Sequence, residues 1–440
     1  MNTQILQMVK MVSILFFLLF APSLVVSQTV DSFFTAGIHP SASLQSTTTG
    51  KQIMTLFPWK GTLYSGYGDY GANTGPVKIY SFSPDSFNFT YEAQANTEAI
   101  YNFRAINGML YAPAIDRRSY KTPGDYIKMD SNGVWANYNF GSNSTHTYDA
   151  ARLNDSVLYM TGSQDERAIV WKSINNGSTW KKILTDTAIS GKSGDFARFY
   201  FAGVYNGNLY VQAKDFYGSL HPNSKVYDGF KWTNGPSLFP SSYSLGWKPE
   251  VFAGKLVYRS WEPGLSSQLI TFDGANNRLA GLYVFDCFIH NNYYYALVDS
   301  GFGVKNIRRT TDLIIWENLL AVPSKSRSLA ILNDKLFIGT TDSKILQYTK
   351  SVSLLTTSVQ VLKPDEILLT IYPNPATDFI QLSFFKPDDN FEADIINIHG
   401  EIVFKIKNES RFNISELSSG IYFLKIKQGN NFIVHKLIKQ

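Results

Sequence analysis

The sequence predicts an all-β protein, a seven-bladed β-propeller followed by a small C-terminal β-sandwich. Three observations support this fold class: a hairpin motif recurs along the chain, turn residues are frequent, and aromatic residues are abundant. Among 440 residues, 15% are aromatic and only 17% are charged, with 31 Gly and 17 Pro. This is the composition of a turn-rich protein with aromatic β-strands.

The recurring motif is clearest in residues 103–116, where two short apolar runs flank Asn107 and Gly108. Asn-Gly between alternating apolar runs is the strongest short-range signal for a β-hairpin. The copies align on seven positions: Tyr64, Tyr111, Tyr159, Tyr210, Val257, Tyr294 and Phe337. Four antiparallel strands occupy about 40–50 residues, and self-similarity at that period indicates stacked blades. Because each copy can bury one face only against its neighbours, we expect residues 33–355 to close into a ring.

The way in which the ring closes is open to two predictions. The last repeat has no clear fourth strand after residues 345–348. An unpaired strand edge is a liability in a β-protein. Residues 33–38 could supply the missing strand, or residues 351–355 could supply it instead.

Residues 1–27 are typical of a secretory signal peptide. Lys10 precedes an apolar run of about ten residues, which is too short to span a bilayer. Val25 and Ser27 fit the small positions before a cleavage site. A retained anchor is the alternative, but we expect no membrane span in the mature chain.

The charge pattern and the cysteine content exclude some classes of function. The net charge is +5, yet no run of Lys or Arg exceeds two residues. A nucleic-acid-binding surface requires clustered basic residues, so we predict no nucleic-acid partner. Cys287 is the single cysteine and lies in a strand-like run, which favours a buried structural thiol over a nucleophile.

A carboxylate follows the second strand of every repeat, at the start of the loop between the second and third strands. These acids are Asp69, Asp116, Asp165, Asp215, Glu262, Asp299 and Asp342. One interpretation is structural, because Asp initiates turns by accepting hydrogen bonds from the backbone two residues on. The other is a ring of acids on one face that binds a hydroxyl-rich ligand such as a glycan, or a cation such as calcium. No residue pattern supports a metal site, and we predict no cofactor.

Aromatic residues in the same loops would give a glycan a stacking surface. They are Tyr67, Tyr70, Tyr217 and Trp261. Ligand binding is therefore expected at this face of the ring.

Catalytic candidates occur near the first strands of the second and third repeats. Glu98, His146 and Asp149 precede or begin these strands, and His146 is the histidine best placed for catalysis. Two carboxylates at a suitable separation are sufficient for glycoside hydrolysis. A hydrogen-bonded structural role is the alternative for His146. No metalloprotease, nucleophile-elbow or phosphate-binding motif is present.

Residues 101–104, with the sequence Tyr-Asn-Phe-Arg, resemble the aromatic-Arg motif that opens sialidase domains. This resemblance implies that Arg104 would bind a substrate carboxylate together with two more arginines. Arg152, Arg198, Arg259 and Arg327 are available, but their spacing selects no trio. Sialidase rings have six blades, so sialidase activity is the least favoured enzymatic alternative.

Residues 173–180 resemble the Asp-box of sialidase-type and related propellers, with Asn175 in place of the usual Asp. The resemblance implies a turn between the third and fourth strands of a blade, in which Gly177 has positive φ and Trp180 packs into the blade. In those families the box is structural. It therefore favours a kelch-like or Asp-box-like propeller and does not identify an activity.

The repeats stop at a linker, residues 356–366, and a second unit occupies residues 367–440. Short strands are predicted at 379–385, 392–398, 402–406, 421–426 and 432–437. Its characteristic residues are Tyr372, Pro373, Asn374, Pro375, Asp378, Gly400, Gly420, Tyr422 and Lys436. In this order they closely resemble the C-terminal sorting domain of type IX secretion cargo. The resemblance implies that the type IX machinery carries the chain across the outer membrane of a Gram-negative bacterium. There the domain is typically removed as the cargo is released or attached to the surface. An ordinary appended β-sandwich is the alternative.

Together these features predict an exported recognition module that binds a glycan or a protein through one face of the propeller. A carbohydrate-active hydrolase or lyase using carboxylates on that face is the first alternative. A purely structural component of the cell surface is the second. Fold alone does not separate them, because propellers host all three kinds of function.

Overall fold

The computed structural model of the chain describes residues 32–119, 121–140, 144–154, 157–218, 220–240, 246–260, 266–301, 303–355, 369–384, 391–398, 401–407, 409, 411–428 and 431–440. They divide into two compact units with a boundary near residue 358. Several predicted features lie outside the described residues: the signal peptide 1–27, the linker 356–366, Trp261, Glu262 and Gly400.

Most strands in the described part of the first unit group into seven four-stranded antiparallel units, which we call blades 1–7. Within each blade the strands are lettered A to D from one edge to the other. Blade 1 consists of Thr55–Trp59, Thr62–Gly66, Val77–Ser83 and Asn88–Ala95, and blade 2 of Arg104–Ile106, Met109–Pro113, Tyr126–Met129 and Trp135–Tyr138. Blade 3 consists of Ser144–Asn154, Val157–Gln164, Arg167–Ser173 and Lys181–Asp186. Blade 4 consists of Gly203–Tyr205, Asn208–Val211, Ser224–Tyr227 and Trp232–Gly235.

Blades 5 and 6 share one long strand, Asn277–His290, which is strand D of the former and strand A of the latter. The other strands of blade 5 are Gly246–Phe252, Lys255–Ser260 and Ser267–Phe272, and those of blade 6 are Tyr293–Asp299, Lys305–Thr310 and Glu317–Val322. Blade 7 consists of Ser326–Leu332, Lys335–Thr340, Lys344–Ser351 and Phe33–Ile38. The described helical elements are the 3-10 turns Ala42–Leu44, Tyr70–Ala72 and Val352–Leu354.

The N-terminal strand closes the ring. Phe33–Ile38 is strand D of blade 7, with Phe33 opposite Tyr348 and Ile38 opposite Lys344. Blade 7 also contacts blade 1, since Ser328 Oγ donates to the Ile53 carbonyl at 2.7 Å. The first of the two predicted modes of closure is therefore confirmed. The rival segment instead begins with the 3-10 turn Val352–Leu354.

The predicted hairpin motif forms the turn between strands A and B. Asn107 and Gly108 have φ of +52° and +74°, as this two-residue turn requires. The seven aligned positions are all 6% exposed or less: Tyr64, Tyr111, Tyr159, Tyr210, Val257, Tyr294 and Phe337. Strand B therefore supplies a buried residue in every blade. This requirement explains why the hairpin motif is the part of the sequence that repeats.

The chain that leads into strand A of blade 2 is interrupted. Thr97–Ala99 is separated from Arg104–Ile106 and pairs with a further strand, Ile115–Arg117. At the break the Ile100 amide donates to the Tyr67 carbonyl at 3.0 Å, so the backbone here bonds to blade 1 instead of to its own hairpin. Blade 4 has an equivalent pair, Ala197–Phe199 with Ala213–Asp215. These two entry hairpins extend the blades on the side of the B–C loops.

The second unit contains two sheets. One has Leu369–Tyr372, Phe379–Phe384 and Arg411–Asn413, and the other has Phe391–Ile396, Ile402–Lys407, Gly420–Gln428 and Asn431–Lys439. Ile380 and Leu382 from the first sheet share one core with Ile395 and Leu424 from the second. This is a small β-sandwich, as predicted. The sequence prediction missed Leu369–Tyr372 and Arg411–Asn413.

The residues of the predicted sorting motif organise the turns of this sandwich. Asn374 Oδ1 accepts a hydrogen bond from the Ile438 amide at 2.9 Å, and the Asp378 carbonyl accepts one from the Ile414 amide at 2.7 Å. The Tyr422 hydroxyl donates to the Ser418 carbonyl at 2.9 Å. The remaining described members are in the Tyr372–Asp378 segment or at strand positions: Tyr372, Pro373, Pro375, Gly420 and Lys436. Across the described part of the chain, no helix is both long and apolar enough to cross a bilayer.

Candidate functional site

The entry hairpins of blades 2 and 4, together with strand A of blade 3, bring side chains from four blades to one face. Strand A begins, strand B ends and the B–C loop starts at the same edge, because neighbouring strands are antiparallel. We call this edge the B–C face. The side chains that meet there form the entry cluster: Tyr70, Glu98, Asp116, His146, Tyr148, Arg198 and Tyr200.

Two carboxylates face each other in the entry hairpin of blade 2. Thr97 pairs with Arg117 and Ala99 with Ile115, so Glu98 lies opposite Asp116. Glu98 is only 4% exposed; it accepts hydrogen bonds from the Gly75 amide and from Arg118 Nη1, the latter at 3.2 Å. The Asp116 side chain accepts no hydrogen bond from the described residues. Burial and then the charge of Glu98 raise the pKa of Asp116, while Arg198 opposes that rise.

Arg198 holds the cluster together from the entry hairpin of blade 4. It is 7% exposed, and its guanidinium donates to the Tyr148 hydroxyl and to His146 Nε2, each at 2.8 Å. Because the arginine has only donors, Nε2 must accept, which assigns the His146 proton to Nδ1. Burial and the charge of Arg198 lower the pKa of His146 to about 3. This histidine is therefore neutral at physiological pH. The Arg198 Nε–H is also buried, without a hydrogen-bond partner among the described residues.

Tyrosines line the same region. The rings of Tyr148 and Tyr200 are 4.5 Å apart, and those of Tyr70 and Tyr101 are 6.3 Å apart. Burial raises the pKa of all four hydroxyls, so they remain protonated at neutral pH. The Tyr101 hydroxyl donates to the Gly68 carbonyl at 2.8 Å. The other three hydroxyls and Arg198 make this side of the cluster rich in donors, opposite the acceptors Glu98 and Asp116.

An exposed aromatic patch borders Arg198 on the B–C face of blade 4. It consists of Phe196, Phe216 and Tyr217. The rings of Phe196 and Phe216 stack at 4.7 Å, and the Arg198 guanidinium carbon lies 4.5 Å from the centre of the Phe196 ring. Phe216 and Tyr217 are 53% and 54% exposed. The patch therefore offers flat apolar surface directly beside a buried charge.

The other described acids of the predicted B–C set lie in or beside turns. Asp69 and Asp299 each accept a hydrogen bond from the backbone amide two residues on, at 3.1 and 3.0 Å. Asp342 accepts from Thr340 and Lys325, and these partners lower its pKa to about 2 although burial alone would raise it. Asp165 is exposed at a hairpin tip with φ of +49°. This is the turn geometry expected for aspartate.

Two members of the predicted binding set are buried. Asp215 is 0% exposed and accepts hydrogen bonds from the amides of Ile189 and Ser190 and from His221 Nε2. Tyr67 is also 0% exposed, and its hydroxyl donates to the Lys78 carbonyl at 3.1 Å. Neither side chain presents surface to a ligand, so the stacking role predicted for Tyr67 does not fit the structure.

Arg104 and Asp149, the other two catalytic candidates, form an ion pair in which Asp149 is buried. Arg104 Nε lies 2.8 Å from Asp149 Oδ1, and Arg104 also pairs with Glu250. Asn102 Nδ2 and the Ala202 amide also donate to Asp149, at 2.8 and 3.1 Å. Because its acceptor sites are occupied by structural partners, Asp149 fits the role of a support for strand A better than that of an acid or base.

A cavity of about 190 Å³ lies beside this ion pair and is lined by Arg104, Lys248, Glu250 and Tyr294, among others. Its arginine and lysine are both paired, since Lys248 Nζ lies 2.8 Å from Asp286 Oδ1. Within the described residues, no group of three or more His, Cys, Asp or Glu side chains is arranged to hold a metal ion. Cys287 also lines this cavity and is half-buried rather than buried as predicted; burial of its thiol raises the pKa to about 12.

Sequence reasoning missed Tyr148, Tyr200 and Phe216, and it named Arg198 only as one of several arginines. A usable signal was present. Glu98 and Arg198 occupy equivalent positions in the two entry hairpins, since Glu98 lies opposite Asp116 and Arg198 lies opposite Lys214. Charged residues at equivalent positions of two repeats would have located this face.

Comparisons with known proteins bear on the two units separately. Residues 370–440 match the family described as the secretion system C-terminal sorting domain. The second unit is therefore a type IX sorting domain, and the chain is a secreted protein that crosses the outer membrane of a Gram-negative bacterium. A sorting domain engages the secretion machinery. No curated protein matches the chain significantly in sequence.

Several solved structures resemble the chain at low sequence identity. The extracellular domain of the one-component system BT4673 from B. thetaiotaomicron is 14% identical, with 94% of this chain and 59% of that one covered and a TM-score of 0.46. Virginiamycin B lyase from Staphylococcus aureus is 10% identical (72% and 97% covered, TM-score 0.46). BamB from Moraxella catarrhalis is 12% identical (67% and 83% covered, TM-score 0.38). The chain spans about three-fifths of the first of these structures. These similarities carry no information about activity, and the propeller fold rests on the sheets described above.

Proposed function

We propose that this secreted propeller is a glycan-binding protein whose ligand occupies the entry cluster and the aromatic patch. The observation that carries this function is the juxtaposition on one face of exposed aromatic rings, a buried arginine and a half-buried carboxylate that accepts no hydrogen bond from the described residues. Phe216 and Tyr217 provide the rings, and Arg198 and Asp116 the polar groups. Sugars have apolar C–H faces that pack on aromatic rings and hydroxyl groups that pair with carboxylate and guanidinium.

The arrangement of donors and acceptors supports a hydroxyl-rich ligand. Glu98 and Asp116 can accept hydrogen bonds, whereas Arg198 and the protonated tyrosines can donate them. A neutral sugar hydroxyl can satisfy either side, because it is both a donor and an acceptor. A few directed polar groups beside a flat apolar surface are typical of small-ligand sites.

A glycan array followed by affinity measurements tests this function. Tyr217→Ala should weaken binding of an array-selected glycan about tenfold, which corresponds to a loss of about 1.4 kcal/mol. Phe230→Ala is the matched control. Phe230 is another exposed aromatic residue of blade 4, 94% exposed, in the C–D turn at the opposite face. Equal affinities for both variants and the wild type would contradict the proposal.

A second candidate function is glycoside hydrolysis, favoured by one specific observation. Asp116 has a raised pKa and lies opposite Glu98, and a carboxylate with a raised pKa beside a second carboxylate can supply a general acid and its partner. In this case the wild type would release products from the bound glycan, and Asp116→Asn would retain binding while losing turnover. Incubation with no product would remove this candidate for that glycan and leave the binding function in place.

A further inference from the structure

A second group of cations lies on the B–C face, on the side of blades 5–7. It consists of Arg259 near the end of strand B of blade 5, Lys305 at the start of strand C of blade 6, and Arg327 near the start of strand A of blade 7. We call it the cationic cluster. Its members converge on Phe285: Arg259 and Arg327 both donate to the Phe285 carbonyl, and Lys305 Nζ lies 3.8 Å from the centre of its ring.

Two described acids, Asp286 and Asp299, act electrostatically on the cationic cluster without forming an ion pair with it. Asp286 is fully buried and already pairs with Lys248 at 2.8 Å. Its second oxygen accepts the Leu329 amide at 3.1 Å. Asp299 accepts from the Gly301 amide and from Ser266. Within the described residues, no carboxylate lies within ion-pair distance of Arg259, Lys305 or Arg327.

Two buried N–H donors of the cationic cluster also lack a hydrogen-bond partner among the described residues. Arg327 is 0% and Arg259 3% exposed, yet Arg327 Nη2 and Arg259 Nε have no hydrogen-bond partner among the described residues. Buried charges are normally paired, because an unpaired charge away from water is costly. Burial and the charge of Arg259 lower the pKa of Arg327, and burial followed by the charge of Arg327 lowers the pKa of Lys305 to about 8. Arg259 therefore makes the charge of Arg327 less favourable, and Arg327 makes that of Lys305 less favourable.

We infer that the cationic cluster binds an oxyanion, a carboxylate or a sulfate, with Arg259 Nε–H and Arg327 Nη2–H as donors and Lys305 as an additional charge. An oxyanion would satisfy both buried donors and neutralise part of the charge in one step, because guanidinium groups match the geometry of carboxylate and sulfate oxygens. Water could satisfy the donors but would leave the charge unbalanced.

The cationic cluster lies close to the entry cluster. Tyr101 connects them: its ring is 6.3 Å from that of Tyr70, and its hydroxyl lies in the electrostatic field of Arg327. The anion could be a free ion or the acidic group of a bound sugar. Combined with the glycan-binding function proposed above, on which this step rests, the second source makes the ligand an acidic glycan.

Titration of the full chain with inorganic sulfate, followed by calorimetry, tests the site itself. The wild type should show saturable binding, and Lys305→Met should weaken it about tenfold, as expected for loss of one charge-assisted contact. Arg327→Met tests a buried donor directly, and Lys305→Met keeps the inference testable if that variant does not fold. The control is Arg308→Met, a half-buried arginine on the same strand outside the cluster. Absence of binding, or equal binding by all variants, would overturn the inference.

A glycan array separates the two sources of the anion and the two proposals. Preference for acidic over neutral glycans that is lost in Lys305→Met supports the acidic-sugar source. Saturable sulfate binding without any glycan binding would support the oxyanion site but contradict the proposed function. Glycan binding that is indifferent to acidic groups, together with no sulfate binding, would contradict the oxyanion site alone.

Discussion

Asp116 shows how one residue differs from its counterparts in the other repeats. The described acids of the B–C set mostly accept hydrogen bonds in turns, whereas the Asp116 carboxylate is held half-buried between Glu98 and Arg198. Its backbone φ of +64° is a conformation that Asn also tolerates. Asp116→Asn therefore changes the charge without a new backbone cost.

We predict that Asp116→Asn stabilises the fold at neutral pH. The pKa of Asp116 is raised in the folded state, so the ionised carboxylate costs stability above the folded pKa, and that cost vanishes below the unfolded pKa near 4. Urea unfolding between pH 3 and pH 7.5 should show a gain that shrinks as the pH falls. Asp165→Asn, at an exposed hairpin tip with positive φ, is the control and should show little gain. A loss of stability at neutral pH would mean that Arg198 favours the charge more than burial opposes it.

The sequence identified part of the candidate site at the residue level. Glu98 and His146 were predicted from their positions at the start of strand A, and both lie in the entry cluster. Tyr148 and Tyr200 were not predicted, because a buried tyrosine in a strand has the same sequence signal whether it faces a blade core or a site. Their proximity to Arg198 depends on how neighbouring blades meet, which a single sequence does not show.

Hairpins were predictable from the sequence where the residues of the turn itself determine its geometry. The A–B hairpins were predicted because Asn107 and Gly108 specify their turn by themselves. The entry hairpins were not, because the break at Ile100 depends on a hydrogen bond to Tyr67 in another blade. Gly68 permits that approach: a Cβ at this position would lie 2.3 Å from the Glu98 carbonyl oxygen. Such a non-local contact leaves only an isolated glycine in the sequence.

The turn between strands C and D of blade 3 provides a test of local structure. Asn175 Oδ1 accepts the Thr179 amide at 2.9 Å, and Asn175 Nδ2 donates to Thr179 Oγ1 at the same distance. Asn175→Ala should lower the free energy of unfolding by about 1–2 kcal/mol through loss of these bonds. Asn175→Asp keeps the acceptor and should cost less. Thermal or urea unfolding compares the two variants, and equal costs would contradict this account of the turn.

Ring closure by the N-terminal strand can be tested with a cross-link. Phe34 lies opposite Gln347, and opposed residues in antiparallel strands are within reach of a disulfide. The oxidised Phe34→Cys/Gln347→Cys variant should be more stable than its reduced form by about 2–4 kcal/mol. Phe34→Cys alone is the control. A cross-link that forms without any gain in stability would show that this strand adds little to closure.

At the scale of the whole molecule, the two units divide the work of recognition and delivery. The second unit has its own hydrophobic core, which includes Ile380, Ile395 and Leu424. Removal of the residues after 366 should therefore leave the propeller folded but undelivered. Cell fractionation should find this truncated chain in the periplasm and the full chain outside the outer membrane. Normal delivery of the truncated chain would contradict the role of the sorting domain in this protein.

Glycan binding by one face of the ring, built from four blades, can be tested by a crystal structure of the chain with an array-selected glycan. We expect a sugar ring packed on Phe216 or Tyr217, with its hydroxyls within hydrogen-bond distance of Arg198 and Asp116. A glycan bound in the cavity beside Arg104 and Glu250, with the entry cluster unoccupied, would contradict it.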